Sequence, residues 1–136
     1  MIEDDAGLRR LLQDTRTIAV VGMSANPDRA SNEVAQYLRG AGYTIIPVNP
    51  ACAEILGEKC YPSLREVPVP IDLVDVFRKS EDVMPVVEDA IAVGAKAVWL
   101  QLGVIATEAA ARAEAAGLKV VMDHCTKIEH RRLVLG

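Results

Sequence analysis

Residues 17–31 read TIAVVGMSANPDRAS: a short β-branched apolar run, one glycine, a polar turn, then the opening of a helical pattern. Val34, Tyr37, Leu38 and Ala41 continue it at i, i+3, i+4 and i+7, the spacing that lines one face of an α-helix. Ser31 is placed to cap the start, and Gly42 supplies a left-handed stop. A second β-branched run follows at 44–48, so residues 17–48 spell a complete strand, helix and strand. Strands joined through a helix of this length run parallel.

Three more apolar runs, 73–77, 97–100 and 119–122, extend the alternation. It predicts an α/β fold, a Rossmann-like doubly wound parallel sheet of five strands in a single domain. Val83, Val86, Val87, Ala90 and Ile91 repeat the helical spacing, with Ser80 as upstream cap, Pro85 in the first turn and Gly94 as stop. Residues 107–116, nearly all Ala, Glu and Arg, form a strong helix by propensity and end at Gly117. Leu8, Leu11 and Leu12 mark a helix opening after Asp4 or Asp5, and Thr126 with Glu129 fits a capping box. Right-handed crossovers favour the strand order 3-2-1-4-5. Residues 49–71 carry four prolines and Gly57, so a long loop with a short turn at 63–66 replaces a crossover helix.

The 136 residues suit one domain, 1–136, with an N-terminal helix in 1–16 and the core in 17–133. At 51% hydrophobic and 25% charged the chain has enough apolar material for a core, which excludes intrinsic disorder. Net charge is -4, no basic run occurs, and one Phe, one Trp and three Tyr offer few stacking surfaces, which argues against nucleic acid. The longest uncharged stretch, 40–53, is broken by glycine and proline and is too short to span a membrane. The acidic start is unlike a secretory signal, so the expected location is cytoplasmic. Cys52, Cys60 and Cys125 are odd in number and form no C-x-x-C, which predicts free thiols.

In a doubly wound sheet, ligands bind at the carboxyl ends of the strands where the order reverses. The loop after the first strand offers Gly22 for close backbone approach, Ser24, Asn26 and Ser31 for hydrogen bonds, and Arg29 for charge. It leads into a helix N-terminus, whose free N–H groups and dipole attract phosphate. Ordinary NAD binding does not fit, because G-x-G-x-x-G is reduced to one glycine and the second strand ends in Asn49 rather than an acid. Arg29 and Arg78 suit a ligand richer in phosphate.

The segments VVGMSANPDRASNEVAQYL, GYTIIPVNP, GEKCYPSL, IDLVDVFR, AVWLQLGV and DHCTKIEH, in this order and spacing, resemble the small single-domain CoA-binding proteins. These are related to the N-terminal domain of the succinyl-CoA synthetase alpha subunit. The resemblance covers nearly all of 17–133 and implies a Rossmann-like domain that binds coenzyme A. It places the first-loop phosphate contacts on Gly22, Met23, Ser24, Asn26, Arg29 and Ser31. The adenosine falls on Asn49, Pro50, Phe77 and Arg78, between the ends of the second and third strands, and the pantetheine arm along Leu100, Gln101 and Gly103. Two features depart from the pattern: the first loop is longer than the synthetase's glycine-rich one, and His124 stands where the single-domain proteins usually have Arg. The synthetase's phosphohistidine and ATP-grasp domains have no counterpart, so the resemblance implies no catalytic residues. It implies instead a non-catalytic binding, carrier or sensor module for CoA or acyl-CoA. The alternative is an enzyme using a related nucleotide, an NADP-linked reductase or a thiol-dependent CoA enzyme. The expected partners are CoA or acyl-CoA, with neither nucleic acid nor membrane, and a homo-oligomer is left open.

Asp123, His124, Cys125 and His130 lie close in sequence. One reading is a thiol site at Cys125 facing the end of the pantetheine; the other is a small buried Cys, a loop cap at Asp123 and an exposed His130. No metal is expected, because the spacing supplies too few ligands. Asp72 and Asp75 flank the third strand and could form an acid/base pair. The plainer reading is that Asp72 caps the strand start and Asp75 meets a helix dipole or an Arg. Glu129 belongs to the capping box, and Trp99 to the core.

Overall fold

The computed structural model describes residues 1–135. Along the chain the elements are α1 (Asp5–Asp14), β1 (Thr17–Val21), α2 (Ala30–Gly40), β2 (Thr44–Val48), the hairpin strands β3 (Glu54–Ile55) and β4 (Glu58–Lys59), and β5 (Leu73–Val76). They continue with α3 (Val83–Ala92), β6 (Ala97–Leu100), α4 (Thr107–Ala115), β7 (Lys119–Met122) and α5 (Thr126–His130), which a π-helical turn at Arg131–Leu135 extends. The five long strands form one parallel sheet in the order β2-β1-β5-β6-β7. Counted along those five strands the order is 2-1-3-4-5, which corrects the expected 3-2-1-4-5.

The reason lies in Pro47. Its carbonyl accepts the Tyr61 N–H at 3.0 Å and the Tyr61 carbonyl accepts the Asn49 N–H at 2.9 Å, so this is the outer edge of β2. Proline has no N–H to offer there, and strands that contain it sit at sheet edges. One bridge, Val48 to Tyr61, therefore replaces a full strand. The third long strand instead pairs with the free side of β1, where Ile18 to Val21 meet Leu73 to Val76 in register.

Both faces of the sheet are covered, which is why its strands read as nearly unbroken apolar runs. Ile18, Val20, Leu73, Trp99 and Val121 face one core, closed by Leu8, Leu11 and Leu12 of α1 and by Val34, Ala35 and Leu38 of α2. Ala19, Val21, Val74, Val76, Val98 and Leu100 face the other, closed by Val83, Val87 and Ala90 of α3 and by Ala109, Ala110 and Ala113 of α4. Each fully buried Val or Leu contributes about 1.5–3 kcal/mol. Trp99 is a core residue as read, and its Nε1–H donates to the His124 carbonyl at 2.8 Å.

Gly42, Gly94 and Gly117 end their helices with positive φ, as expected. The expected caps do not form, and none of the five helices has a side-chain cap. Arg29, not Ser31, is the N-cap of α2, because the Ser31 hydroxyl accepts the Ser24 N–H at 2.9 Å. Ser80 opens a short 3₁₀ turn, and its hydroxyl accepts the Ile105 N–H at 2.9 Å. Thr126 is the first residue inside α5 and bonds the sheet, so it makes no capping box with Glu129. Asp72 caps the start of β1, the neighbour of the third long strand that it was expected to cap, taking the Arg16 and Thr17 N–H groups at 3.0 Å each. No helix among the described residues is long and apolar enough to cross a membrane.

Candidate functional site

The chain leaves β1 toward β2 on one side and proceeds from β5 toward β6 on the other, so the order reverses between β1 and β5. Gly22 follows β1 and Phe77 follows β5, and the two touch. A β-carbon on Gly22 would lie 2.1 Å from the Phe77 carbonyl oxygen, and φ there is +83°. The glycine is required by this contact. Beyond it, a set of short bonds shapes the first loop. Ser24 Oγ accepts the Asn26 N–H at 3.0 Å, Asn26 Oδ1 accepts the Asp28 N–H at 3.0 Å, and Asn32 donates to the Ser24 carbonyl at 2.8 Å. The loop delivers the chain to the N-terminus of α2, which has no side-chain cap: the Asn32 N–H donates to the Arg29 carbonyl at 3.1 Å, and the Ala30 and Ser31 N–H groups have no partner among the described residues.

Beside that terminus, over the ends of β5, β6 and β7, lies a cleft of about 640 Å³. Its walls are largely apolar, built by Ala30, Val34, Phe77, Leu102, Val104 and Ile128. Arg78, Lys79, Asp82, Gln101 and Cys125 supply its polar groups. Of the residues anticipated from sequence, the cleft brings together Phe77, Arg78, Gln101 and Cys125, with the first loop and Arg29 next to it. Met23 and Leu100 are 0% exposed, main chain included, so neither offers a ligand an exposed atom. Gly103 turns the next loop at φ +85°, its N–H donating to Asp123 Oδ1 at 2.7 Å; Asp123 is thus the loop cap that was read.

The implied adenosine region is split. Asn49 and Pro50 follow β2, Phe77 and Arg78 follow β5, and β1 runs between them. Asn49 is already occupied, donating to the Met23 carbonyl at 2.9 Å and accepting the Ala51 N–H at 2.9 Å, so it ties β2 to the first loop. Lys79, Leu102, Val104 and Ile128 line the cleft beyond the residues expected from the sequence. Leu102 and Ile128 had a signal, being large apolar residues left 63% and 45% exposed beside strand ends.

His130 is buried, correcting the expectation of an exposed residue. Its Nδ1 pairs with the Tyr37 hydroxyl at 2.9 Å, and it meets the Tyr37 and Tyr43 rings edge-on. Burial pushes its imidazole down, favouring the neutral form. It therefore does not join Cys125, and no cluster of metal-ligating side chains occurs among the described residues. The three cysteines are free thiols: Cys60 is buried, which pushes its thiol up, Cys52 and Cys125 are half-buried, and Cys125 lines the cleft. Asp72 and Asp75 form no pair. Asp72 sits at the amino edge with Lys96 Nζ 3.3 Å away, whereas Asp75 is sealed inside the sheet against Thr126, at the N-terminus of α5. Burial pushes the Asp75 carboxyl up to about 8, against the opposing hydrogen bond from Thr126.

This architecture has close relatives. The uncharacterized protein YneT of Bacillus subtilis is 43% identical over 125 residues, 92% of this chain and 93% of YneT. A hypothetical protein from Pyrococcus horikoshii OT3 superposes with a TM-score of 0.94 at 43% identity, over 97% of this chain and 93% of that one. An acetate–CoA ligase (ADP-forming) of Archaeoglobus fulgidus is 29% identical over 120 residues, which are 81% of this chain and 18% of the ligase. A CoA binding domain family matches residues 16–131. With that match spanning the sheet and every loop at its carboxyl edge, the chain belongs to the CoA-binding domain family.

Proposed function

We propose that the protein binds coenzyme A or an acyl-CoA across the carboxyl edge of the sheet, as a non-catalytic binding, carrier or sensor module of the cytoplasm. The observation that carries this reading is the cleft beside the uncapped α2 N-terminus, with apolar walls and with Arg78 and Lys79 among its lining. CoA is a ligand of the same two-part character, phosphates at one end and a long, weakly polar arm at the other. The phosphates go to the helix N-terminus, Arg29 and Arg78; the arm goes to the walls formed by Val34, Val104 and Ile128. The family match and the likeness to one segment of a CoA ligase support the same assignment.

Thermal unfolding with CoA and with NAD tests it. CoA at about 100 times its dissociation constant adds ~2.7 kcal/mol of stability, and NAD adds none. Equal shifts from the two ligands would sink the assignment.

Cys125 in the cleft favours a second reading, a thiol-dependent CoA protein. There the Cys125 thiolate attacks CoA disulfide, forming a Cys125–CoA mixed disulfide and releasing one CoA thiol. Peptide mass spectrometry after treatment with CoA disulfide decides it. Modification at Cys52 or Cys60 alone, or at no cysteine, removes this reading and leaves reversible binding untouched.

A further inference from the structure

Beneath the cleft floor runs a buried polar chain that CoA binding leaves without a role. Asp75, in the middle of β5, is 0% exposed and lies between Val20 of β1 and Trp99 of β6. Its Oδ2 is 3.0 Å from Thr126 Oγ1. The same hydroxyl is 3.1 Å from Gln101 Oε1, which also accepts the Thr126 N–H at 3.1 Å. Gln101 is 5% exposed and lines the cleft. With its oxygen committed twice to Thr126, its nitrogen is the polar atom it presents to the cleft, and that nitrogen has no partner among the described residues.

We propose that Asp75, as a neutral acid, is a positioning residue that acts through Thr126 to lock the Gln101 amide with its NH₂ directed into the cleft, where it takes a carbonyl oxygen of a bound amide or thioester. The role rests on the cleft being the CoA site, and it adds a protonation requirement to that site.

Counting donors shows why the acid must be neutral. Thr126 Oγ1 has one proton and two oxygen neighbours, Asp75 Oδ2 and Gln101 Oε1. If Asp75 were ionised, both neighbours would be acceptors competing for that proton. If Asp75 is protonated, it donates to Thr126, Thr126 donates to Gln101, and each hydrogen bond has its own proton. The Thr126 N–H, 3.1 Å from the same Gln101 oxygen, agrees with this assignment of the amide, and the hydroxyl bond adds the second hold on it. Asp75 Oδ1 has no partner among the described residues, a state far less costly for a neutral carbonyl oxygen than for a charged one.

No charged group offsets this. On α5, Glu129 is engaged by Arg132 and faces His124, His130 by Tyr37, and Lys127 lies over the Tyr37 ring. On α1 and α2, Asp5, Arg9, Arg10, Asp14, Glu33 and Arg39 are all exposed. Tyr43 donates to the Leu12 carbonyl, and Cys125 faces the cleft. Burial accordingly holds the Asp75 carboxyl up at about 8.

The test compares the parent with Asp75→Asn, whose amide donates to Thr126 as the protonated acid does. Carbon-13 NMR follows the side-chain carbonyl of Gln101, assigned through Gln101→Met, from pH 6 to 10 without ligand. Calorimetry measures CoA affinity at pH 6.5 and pH 9. In the parent the Gln101 signal moves with a midpoint near that of Asp75, and CoA affinity falls about tenfold more than in Asp75→Asn, a difference equal to one hydrogen bond. The ionisations of CoA itself are common to both proteins and cancel. A Gln101 signal that ignores pH in the parent overturns the lock whether or not CoA binds. A signal that moves while both proteins keep the same affinity profile overturns the positioning role and leaves CoA binding standing. Absence of CoA binding at either pH defeats the CoA reading, and the NMR titration still decides the lock.

Discussion

Gly22 was legible in the sequence as a point of close backbone approach, but what approaches it is the Phe77 carbonyl of the neighbouring strand end. Gly22→Ala is expected to destabilise the protein by about 2 kcal/mol or more, since the left-handed φ alone costs ~1–2 kcal/mol before the clash is relieved. Urea unfolding measures it, and an unchanged midpoint would show that the loop yields freely. Asp75 makes a prediction of opposite kind. Its carboxyl is raised from 3.8 to about 8, so between those values the folded protein holds a proton that the unfolded chain releases. Its contribution to stability is full below pH 4, declines as pH rises toward 8, and is level above that, with a slope of at most ~1.4 kcal/mol per pH unit. Asp75→Asn should remove this slope. The difference between parent and variant in unfolding free energy, measured from pH 5 to 8, therefore grows in favour of the variant. From sequence Asp75 could be read as half of an acid/base pair with Asp72 or as meeting a helix dipole or an Arg, because strand periodicity says which face a residue takes and nothing about the hydroxyl opposite it.

At the level of elements, the five long strands were legible almost to the residue, with β5 ending at Val76 instead of 77, because burial on both faces writes itself into composition, whereas the short hairpin of β3 and β4 inside 49–71 was not. The side-chain caps of the helices were not legible either. Ser31, Ser80 and Thr126 are good capping residues, yet each hydroxyl is taken by a partner distant in sequence or in another element, Ser24, Ile105 and Asp75 respectively. Local propensity cannot see such partners. Leaving α2 uncapped has a use if its first N–H groups are kept for phosphate. Arg29 occupies its N-cap position with extended backbone, φ -82° and ψ 144°, which Asn adopts without strain. Arg29→Asn should then raise the stability of the ligand-free protein by ~1 kcal/mol while lowering CoA affinity, through loss of the cation and competition of the new cap for the same N–H groups. Arg78→Ala, in contrast, should weaken CoA about ten- to a hundredfold with stability changed by less than ~0.5 kcal/mol. Chemical denaturation paired with calorimetry separates the two patterns.

On the scale of the whole molecule, the strand order decides which loops share a site. The order 3-2-1-4-5 would have set the first loop beside the loop after β6 and left Phe77 and Arg78 at a far edge. The observed order brings Phe77 and Arg78 next to Gly22 and pushes Asn49 to the other side of β1. Pro47 was the signal that could have given this, since a strand that lacks a donor on one side does not sit inside a sheet. The carboxyl edge itself was legible under either order, because parallel strands all end on the same side. A groove of about 480 Å³ lies elsewhere, between the end of α2 and the last turn, lined by Tyr37, Ala41, His130 and Val134. Hydrogen exchange with CoA tells this groove from the cleft. Protection should rise in 22–31, 77–79, 101–105 and 123–126 and stay unchanged in 41–43 and 130–135. The former segments supply the cleft and its neighbouring loops, and a ligand slows only the openings that its contacts oppose. Protection confined to the second group would move the CoA site to the opposite surface and detach Arg78 and Gln101 from it.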